Sequence, residues 1–191
     1  MDRGAAKAYV HMMINLGLVN VLKTDSWREW GNFFRNNNEI EYYSGATKAC
    51  VYVPNSDCVI KFDLHLKTHY CRTEAENYRK ALEAGLGDYF AACEFLEEID
   101  GVEFFVQEKV AAEEAEISDE FRDYCNPVHS DYYDEGALDE PDRIYALLGC
   151  TTESMELVDF CSENEINDLH SGNWGFNWNS NHYVIIDYSG Y

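Results

Sequence analysis

Proline is scarce in this chain, three residues in 191, and no Gly-, Ser- or Pro-rich run occurs. That excludes an extended linker, so the length fits one domain or two small lobes. Basic residues are scarce as well: 14 Lys plus Arg stand against 36 Asp plus Glu, a formal charge of −22. A field of that sign repels phosphates and anionic headgroups, so direct nucleic-acid binding and membrane-surface binding are not expected. The seven cysteines (50, 58, 71, 93, 125, 150 and 161) are scattered, and none forms a C-x-x-C pair. An odd, dispersed set argues against a disulfide framework or a zinc cluster and fits a reducing, cytoplasmic compartment. No apolar run of membrane length is present. The most apolar stretch, residues 8–22, is short and contains His11, Asn15 and Asn20, and it reads as a buried helix. The start, MDRGAAK, is followed by no small-residue cleavage site and does not read as a signal peptide.

What is present is a globular composition, 46% hydrophobic and 15% aromatic. Residues 1–37 read as helical, with Trp27, Trp30, Phe33 and Phe34 as packing residues, and the run Asn36 to Asn38 breaks the helix. Residues 39–64 alternate as strands around two turns, SGATK and PNSD. Residues 72–84 are strong helix formers closed by Gly85 and Gly87. Helical spacing puts Glu74, Tyr78, Ala81 and Leu82 on one face, so Glu74 lies on the inward stripe, where a carboxylate needs a partner. ACEFLEEI and VEFFVQEKV read as a second strand pair around Asp100-Gly101. Residues 113–142 hold twelve acids against one base, Arg122, and read as an acidic insertion. Helix returns over 143–162 with a break near Gly149. The tail is expected to run as a loop, an Asn-rich turn and the buried strand YVII.

Three short polar residues stand around that last strand. Asn173 follows Asp168 by five positions, and Asp187 follows Asn173 by fourteen. An Asn and an Asp brought to one strand end supply hard oxygen ligands suited to Mg²⁺, with phosphate and water completing the shell. A further Asp there can orient or deprotonate a hydroxyl. His65 and His69, four apart, could share a helix face as metal ligands do, but no third ligand accompanies them. His170 reads as a structural member of its loop.

DLHSGN followed by IIDYSG resembles the catalytic and metal-binding loops of the protein kinase-like superfamily, in the form of its atypical branch that includes aminoglycoside and choline phosphotransferases and small bacterial or phage kinase-like proteins. The resemblance covers roughly residues 39–110 and 143–190. It implies an α+β fold: an antiparallel-sheet N-lobe with one helix, then a truncated helical C-lobe. The chain would divide into a helical extension (1–38), the N-lobe and hinge (39–110) and a reduced C-lobe (111–191). By resemblance, Asp168 is the catalytic residue, and Asn173 and Asp187 hold Mg²⁺. Lys61, in Val59-Ile60-Lys61, contacts the phosphates of ATP. Glu74 pairs with Lys61, with Glu76 as the alternative partner. Gly45 lies in the phosphate loop, Gln107 takes the gatekeeper position, and the backbones of Glu108 and Val110 meet the adenine edge.

Departures from the pattern bear on function. The phosphate loop has one glycine, Gly45, which implies a looser grip. The residue before Asp168 is Asn167, where protein kinases usually carry Arg. Asp187-Tyr188-Ser189 stands for D-F-G, and only Gly190 and Tyr191 follow, so the lobe that would carry an acceptor is reduced. The expectation is therefore an ATP- and Mg²⁺-dependent phosphotransferase acting on a hydroxyl of an unknown protein or small-molecule acceptor. The alternatives are a pseudokinase-like interaction module, docking partners through its apolar N-terminal helix, and an acidic nucleic-acid mimic built on residues such as Glu113, Glu114 and Glu116. Taken singly, Asp168 and Asn173 could be ordinary turn residues, and Lys61 could be a surface lysine.

Overall fold

The first 36 residues form three helices, not one. In the computed structural model, which describes residues 1–111, 140–169 and 171–189, α1 spans Arg3–Asn15, α2 Leu18–Leu22 and α3 Trp27–Asn36. Gly17, at φ 99°, makes the first break in a backbone conformation that a Cβ resists. The Ser26 side chain, accepting the Glu29 N–H, starts the third helix. The acidic run 113–139, with Glu113, Glu114 and Glu116, and His170 lie outside the described residues.

The chain divides into two units, Met1–Glu76 with Ala92–Lys109, and Asn77–Ala91 with Val110–Tyr191. The first is a mixed α+β unit. Its five-stranded antiparallel sheet has the order β1-β2-β3-β5-β4, with β1 at Tyr42–Ser44, β2 at Lys48–Tyr52, β3 at Cys58–Asp63, β4 at Cys93–Ile99 and β5 at Val102–Glu108. The expected turns close these hairpins. Asn55 takes a positive φ between β2 and β3, and Asp100 and Gly101 (φ 52° and 83°) match the right-handed strand twist between β4 and β5.

Strand alternation gives the sheet two different faces. Ala49, Val51, Ile60, Phe62, Phe104 and Val106 share one core with Ala6, Val10, Met13, Leu18, Leu22 and Phe34 from the helices. A register shift between Phe95 and Glu97 in β4 accompanies a buried Leu96 in that core. Ala6, Val10 and Met13 on α1 are thus buried inside its own unit. The opposite sheet face follows from the register: Cys50 lies across from Lys61, Lys48 from Asp63, and Val59 from Gln107. Charged and polar side chains therefore line this face next to the helix α4, Tyr70–Glu83.

Along α4 the buried positions are Cys71, Glu74, Asn77 and Ala81. Leu82, expected on the same stripe, is exposed at the penultimate position of the helix, where the Gly85 and Leu86 N–H groups bond back to the Leu82 and Ala81 carbonyls. Among the described residues no helix is long and apolar enough to cross a membrane.

The second unit holds the rest of α4, the helices α5 (Glu140–Leu148) and α6 (Thr152–Glu163), and a two-stranded hairpin, β6 (Trp174–Asn177) with β7 (His182–Ile185). Gly149 (φ 77°) ends α5, and a reciprocal Thr151–Ser154 capping box starts α6. β6 is a strand the sequence does not announce, since its Gly and Asn read as turn residues.

Burial of Cys161 on α6 pushes its thiol up to about 12 from the ordinary 9.0. The folded chain keeps this proton where the unfolded chain releases it. The resulting stability is fully present below pH 9 and is lost as pH rises toward the folded value. Stability of Cys161→Ala should accordingly fall less steeply between pH 9 and about 10, by roughly 1 kcal/mol, in urea titrations at the two pH values. Equal slopes would mean that this thiol is hydrated in the folded state.

Candidate functional site

Position 61 faces α4 because β3 is buried on both sides: its even-numbered residues serve the helix-covered core and its odd-numbered ones the opposite face. Lys61 Nζ lies 2.5 Å from Glu74 Oε2, with Lys61 5% exposed and Glu74 fully buried. Glu76 is exposed, so Glu74 is the partner. A second lysine, which no sequence motif marks, joins this pair. Lys48, at the start of β2 and 7% exposed, places its Nζ 2.7 Å from Glu74 Oε1. It also stands over the Tyr70 ring, 5.8 Å from the centroid. One carboxylate thus holds an ammonium on each oxygen.

Buried charges of this kind persist only when paired. Asp63, across from Lys48, has its carboxyl raised by burial, partly offset by the Cys71 N–H it accepts at 3.1 Å and by the Lys48 charge. The Cys71 and Cys93 thiols are raised strongly, first by burial and then by Glu74. They are buried thiols held neutral, which suits inert packing groups and not nucleophiles.

The loop between β1 and β2 is a tight hairpin. The Gly45 N–H donates to the Lys48 carbonyl at 3.1 Å, and a Cβ at Gly45 would meet no atom within 4 Å. Gly45 is therefore not needed for close approach by another group of the chain. At the far end of the sheet the Glu108 N–H donates to the Ala92 carbonyl, and the Lys109 N–H to that of Asp57. The chain passes from the first unit to the second between Lys109 and Val110. The Val110 side chain packs against the bare backbone of Gly175, where a Cβ would collide with it.

In the second unit Asn173 joins two loops. Its Nδ2 donates to the Asp168 carbonyl at 2.6 Å, and its own carbonyl accepts the Ile186 N–H at 2.8 Å. That ties the Asp168 loop to the residue before Asp187. With Nδ2 committed, Oδ1 is the atom this side chain can offer a cation. Trp174, fully buried, braces the same loop by donating Nε1–H to the Leu169 carbonyl at 3.0 Å. Tyr188 fixes the segment beyond Asp187: its hydroxyl donates to the Ala91 carbonyl at 2.6 Å, its ring meets Phe90 edge-on, and its carbonyl accepts from Asn77 Nδ2 at 2.9 Å. Ser189 Oγ lies 3.3 Å from Asp187 Oδ1.

The sequence-assigned residues therefore fall into two sets. Gly45, Lys61, Glu74 and Glu108 belong to the first unit, and Val110, Asp168, Asn173 and Asp187 to the second. His65 and His69 do not join in a metal pair: His65 Nδ1 is 2.6 Å from Asp25 Oδ1, and His69 lies beside Glu103. Among the described residues no group of three or more His, Cys, Asp and Glu side chains is arranged to hold a metal ion. Asn173 and Asp187 would need phosphate and water oxygens to complete a six-oxygen shell. Their hard oxygen atoms, one oriented by the Asp168 carbonyl and the other beside the Ser189 hydroxyl, suit Mg²⁺ rather than a softer metal. Comparison of the chain with protein-family models, with curated proteins and with solved structures gives no match in any of the three.

Proposed function

We propose that the chain is an ATP- and Mg²⁺-dependent phosphotransferase of kinase-like fold. One observation carries the reading: the lysine and glutamate that the resemblance singles out, thirteen residues apart on a strand and a helix, form a buried pair at 2.5 Å. An ion pair buried this deeply is weak evidence for stability. It is better suited to holding an ammonium in one place, as phosphate binding requires. The Asn173 bridge supports the second half of the assignment, because it draws Asp168 and Asp187 into one cluster of loops. In this reading the Glu108 and Val110 backbones would meet the adenine edge.

In this reading Lys61 holds phosphate oxygens and Glu74 holds Lys61. Asn173 and Asp187 would hold Mg²⁺, which supplies charge neutralisation on the phosphates. Asp168 orients the acceptor hydroxyl and takes its proton as the acceptor oxygen bonds the γ-phosphorus, the bridging P–O bond breaks and ADP leaves. Most of the catalysis would come from positioning and fixed charge. A second reading, a pseudokinase-like module that binds nucleotide without turnover, is favoured by the Gly45 hairpin, whose N–H is used within the turn. Consumption of the γ-phosphate separates the two.

The test is thermal unfolding of the wild type and Asp187→Ala with ATP and Mg²⁺, with ATP and EDTA, and without ligand. A ligand at about a hundred times its dissociation constant adds ~2.7 kcal/mol, which a melting curve resolves. The expected result is a shift that needs both ATP and Mg²⁺ and disappears in Asp187→Ala. A wild type indifferent to millimolar ATP would overturn the nucleotide assignment. A variant that keeps the Mg²⁺-dependent shift would overturn the metal assignment.

A further inference from the structure

We infer that Asn77, which no sequence motif marks, is a positioning residue for Asp187; the inference rests on the phosphotransferase reading above, in which Asp187 holds Mg²⁺. Asn77 lies on α4 and belongs to the second unit, as do the residues it touches. It is 2% exposed, on the buried stripe of the helix. Asparagine does little for stability in such a place, since it is a weak helix former and its amide must be stripped of water. Both ends of that amide are engaged. Nδ2 donates to the Tyr188 carbonyl at 2.9 Å, and Oδ1 accepts from Lys80 Nζ at 3.3 Å. Lys80 also donates to Oδ1 of Asn164, the C-cap of α6, at 2.9 Å. An ammonium has donors only, so Lys80 can face Oδ1 and not Nδ2. It thereby keeps the donor end of Asn77 turned toward Tyr188.

What this bond does for Asp187 follows from the chain around it. The Ile185 carbonyl accepts the Ala91 N–H at 2.9 Å, and the Ile186 N–H donates to the Asn173 carbonyl at 2.8 Å. These bonds hold the backbone up to the residue before Asp187. On the far side the Tyr188 hydroxyl anchors the ring to the Ala91 carbonyl, and Asn77 holds the Tyr188 backbone at its carbonyl. Asp187 is thus clamped on both sides, by Asn173 before it and by Asn77 after it. A metal ligand must be held to within about 0.5 Å of its working position. Groups that orient a ligand without touching the metal change metal affinity roughly 10–100-fold when removed. Asn77 acts on the metal in this way, through Tyr188 and Asp187.

The experiment is calorimetric titration of the full chain with ATP·Mg, ATP in EDTA and adenosine, for wild type, Asn77→Leu, Asn77→Asp and Cys161→Ala. Asn77→Leu removes the amide at similar volume, and Asn77→Asp keeps an oxygen for Lys80 but removes the donor. Both should bind ATP·Mg at least tenfold more weakly, and adenosine and metal-free ATP as the wild type does. Cys161→Ala perturbs the same unit away from Asp187 and should bind all three ligands normally. A second measurement needs neither nucleotide nor metal: amide hydrogen exchange at Asp187 to Ser189 should quicken in both Asn77 variants and not in Cys161→Ala. Exchange as slow as in the wild type, ATP·Mg bound as tightly, or equal losses for all three ligands would each make Asn77 a packing residue only; the inference then falls while the nucleotide reading stands. A wild type that binds none of the ligands, or that gains nothing from Mg²⁺, overturns the reading on which the inference rests, and the inference with it.

Discussion

Glu74→Ala is expected to lower the stability of the first unit by about 3–5 kcal/mol, the usual effect of removing one partner from a buried charge network. The reason is desolvation. The substitution leaves Lys48 and Lys61, 7% and 5% exposed, without the carboxylate that holds them at 2.7 and 2.5 Å. Each must then lose its proton, draw in water or move its stem, and all three cost free energy. For a chain of this size about 1 kcal/mol moves the melting temperature by 2–4 °C, so the change is well outside error. The informative companion is the triple variant Lys48→Met, Lys61→Met and Glu74→Leu. Apolar replacement of a whole buried ionic group is often neutral or stabilising. A triple variant as stable as wild type, beside a crippled Glu74→Ala, would show that the trio is kept for something other than folding. Glu74→Ala within 1 kcal/mol of wild type would show that water reaches the site.

Tyr188→Ala is expected to destabilise the second unit by a similar amount, about 3–5 kcal/mol, the range for a large aromatic truncated in a core. Tyr188 is 1% exposed, meets Phe90 at 5.1 Å between ring centroids and donates to the Ala91 carbonyl at 2.6 Å. Tyr188→Phe separates packing from the hydrogen bond: it keeps the ring and strands the Ala91 carbonyl, for roughly 1–3 kcal/mol. Urea unfolding followed by tryptophan fluorescence reads both, since Trp174 is buried in the same unit. Equal losses for the two variants would mean that the hydroxyl, not the ring, anchors the segment after Asp187.

Much of this was legible in the residues because local signals agreed. Pro-Asn-Ser-Asp and Asp-Gly mark the two hairpins, and the turns at Asn55 and Asp100 take the backbone angles those residues tolerate. Glu74 could be placed inward by helical spacing alone. Three features were not legible. Lys48 falls within the expected turn SGATK and belongs to no motif. Only the β2–β3 register, which sets Lys48 against Asp63, puts it on the face of Lys61. β6 was hidden because Gly175 and Asn177 are poor strand formers. Its glycine is explained by Val110, whose side chain fills the place of a Cβ. The break at Gly17 was read through, since a single glycine in an apolar helical run is often tolerated.

The two ammonium groups on Glu74 belong to a chain whose formal charge is −22. In the phosphotransferase reading, a phosphate approaching Lys61 from solution would meet two fields of unequal range. The outer one repels and is screened by dissolved salt over about 8 Å at physiological ionic strength. The inner one would act at contact, in a low-dielectric setting that salt scarcely reaches. Arrival would then be slowed more than holding is weakened, and a brief pulse of ligand would leave a longer trace than its concentration alone implies.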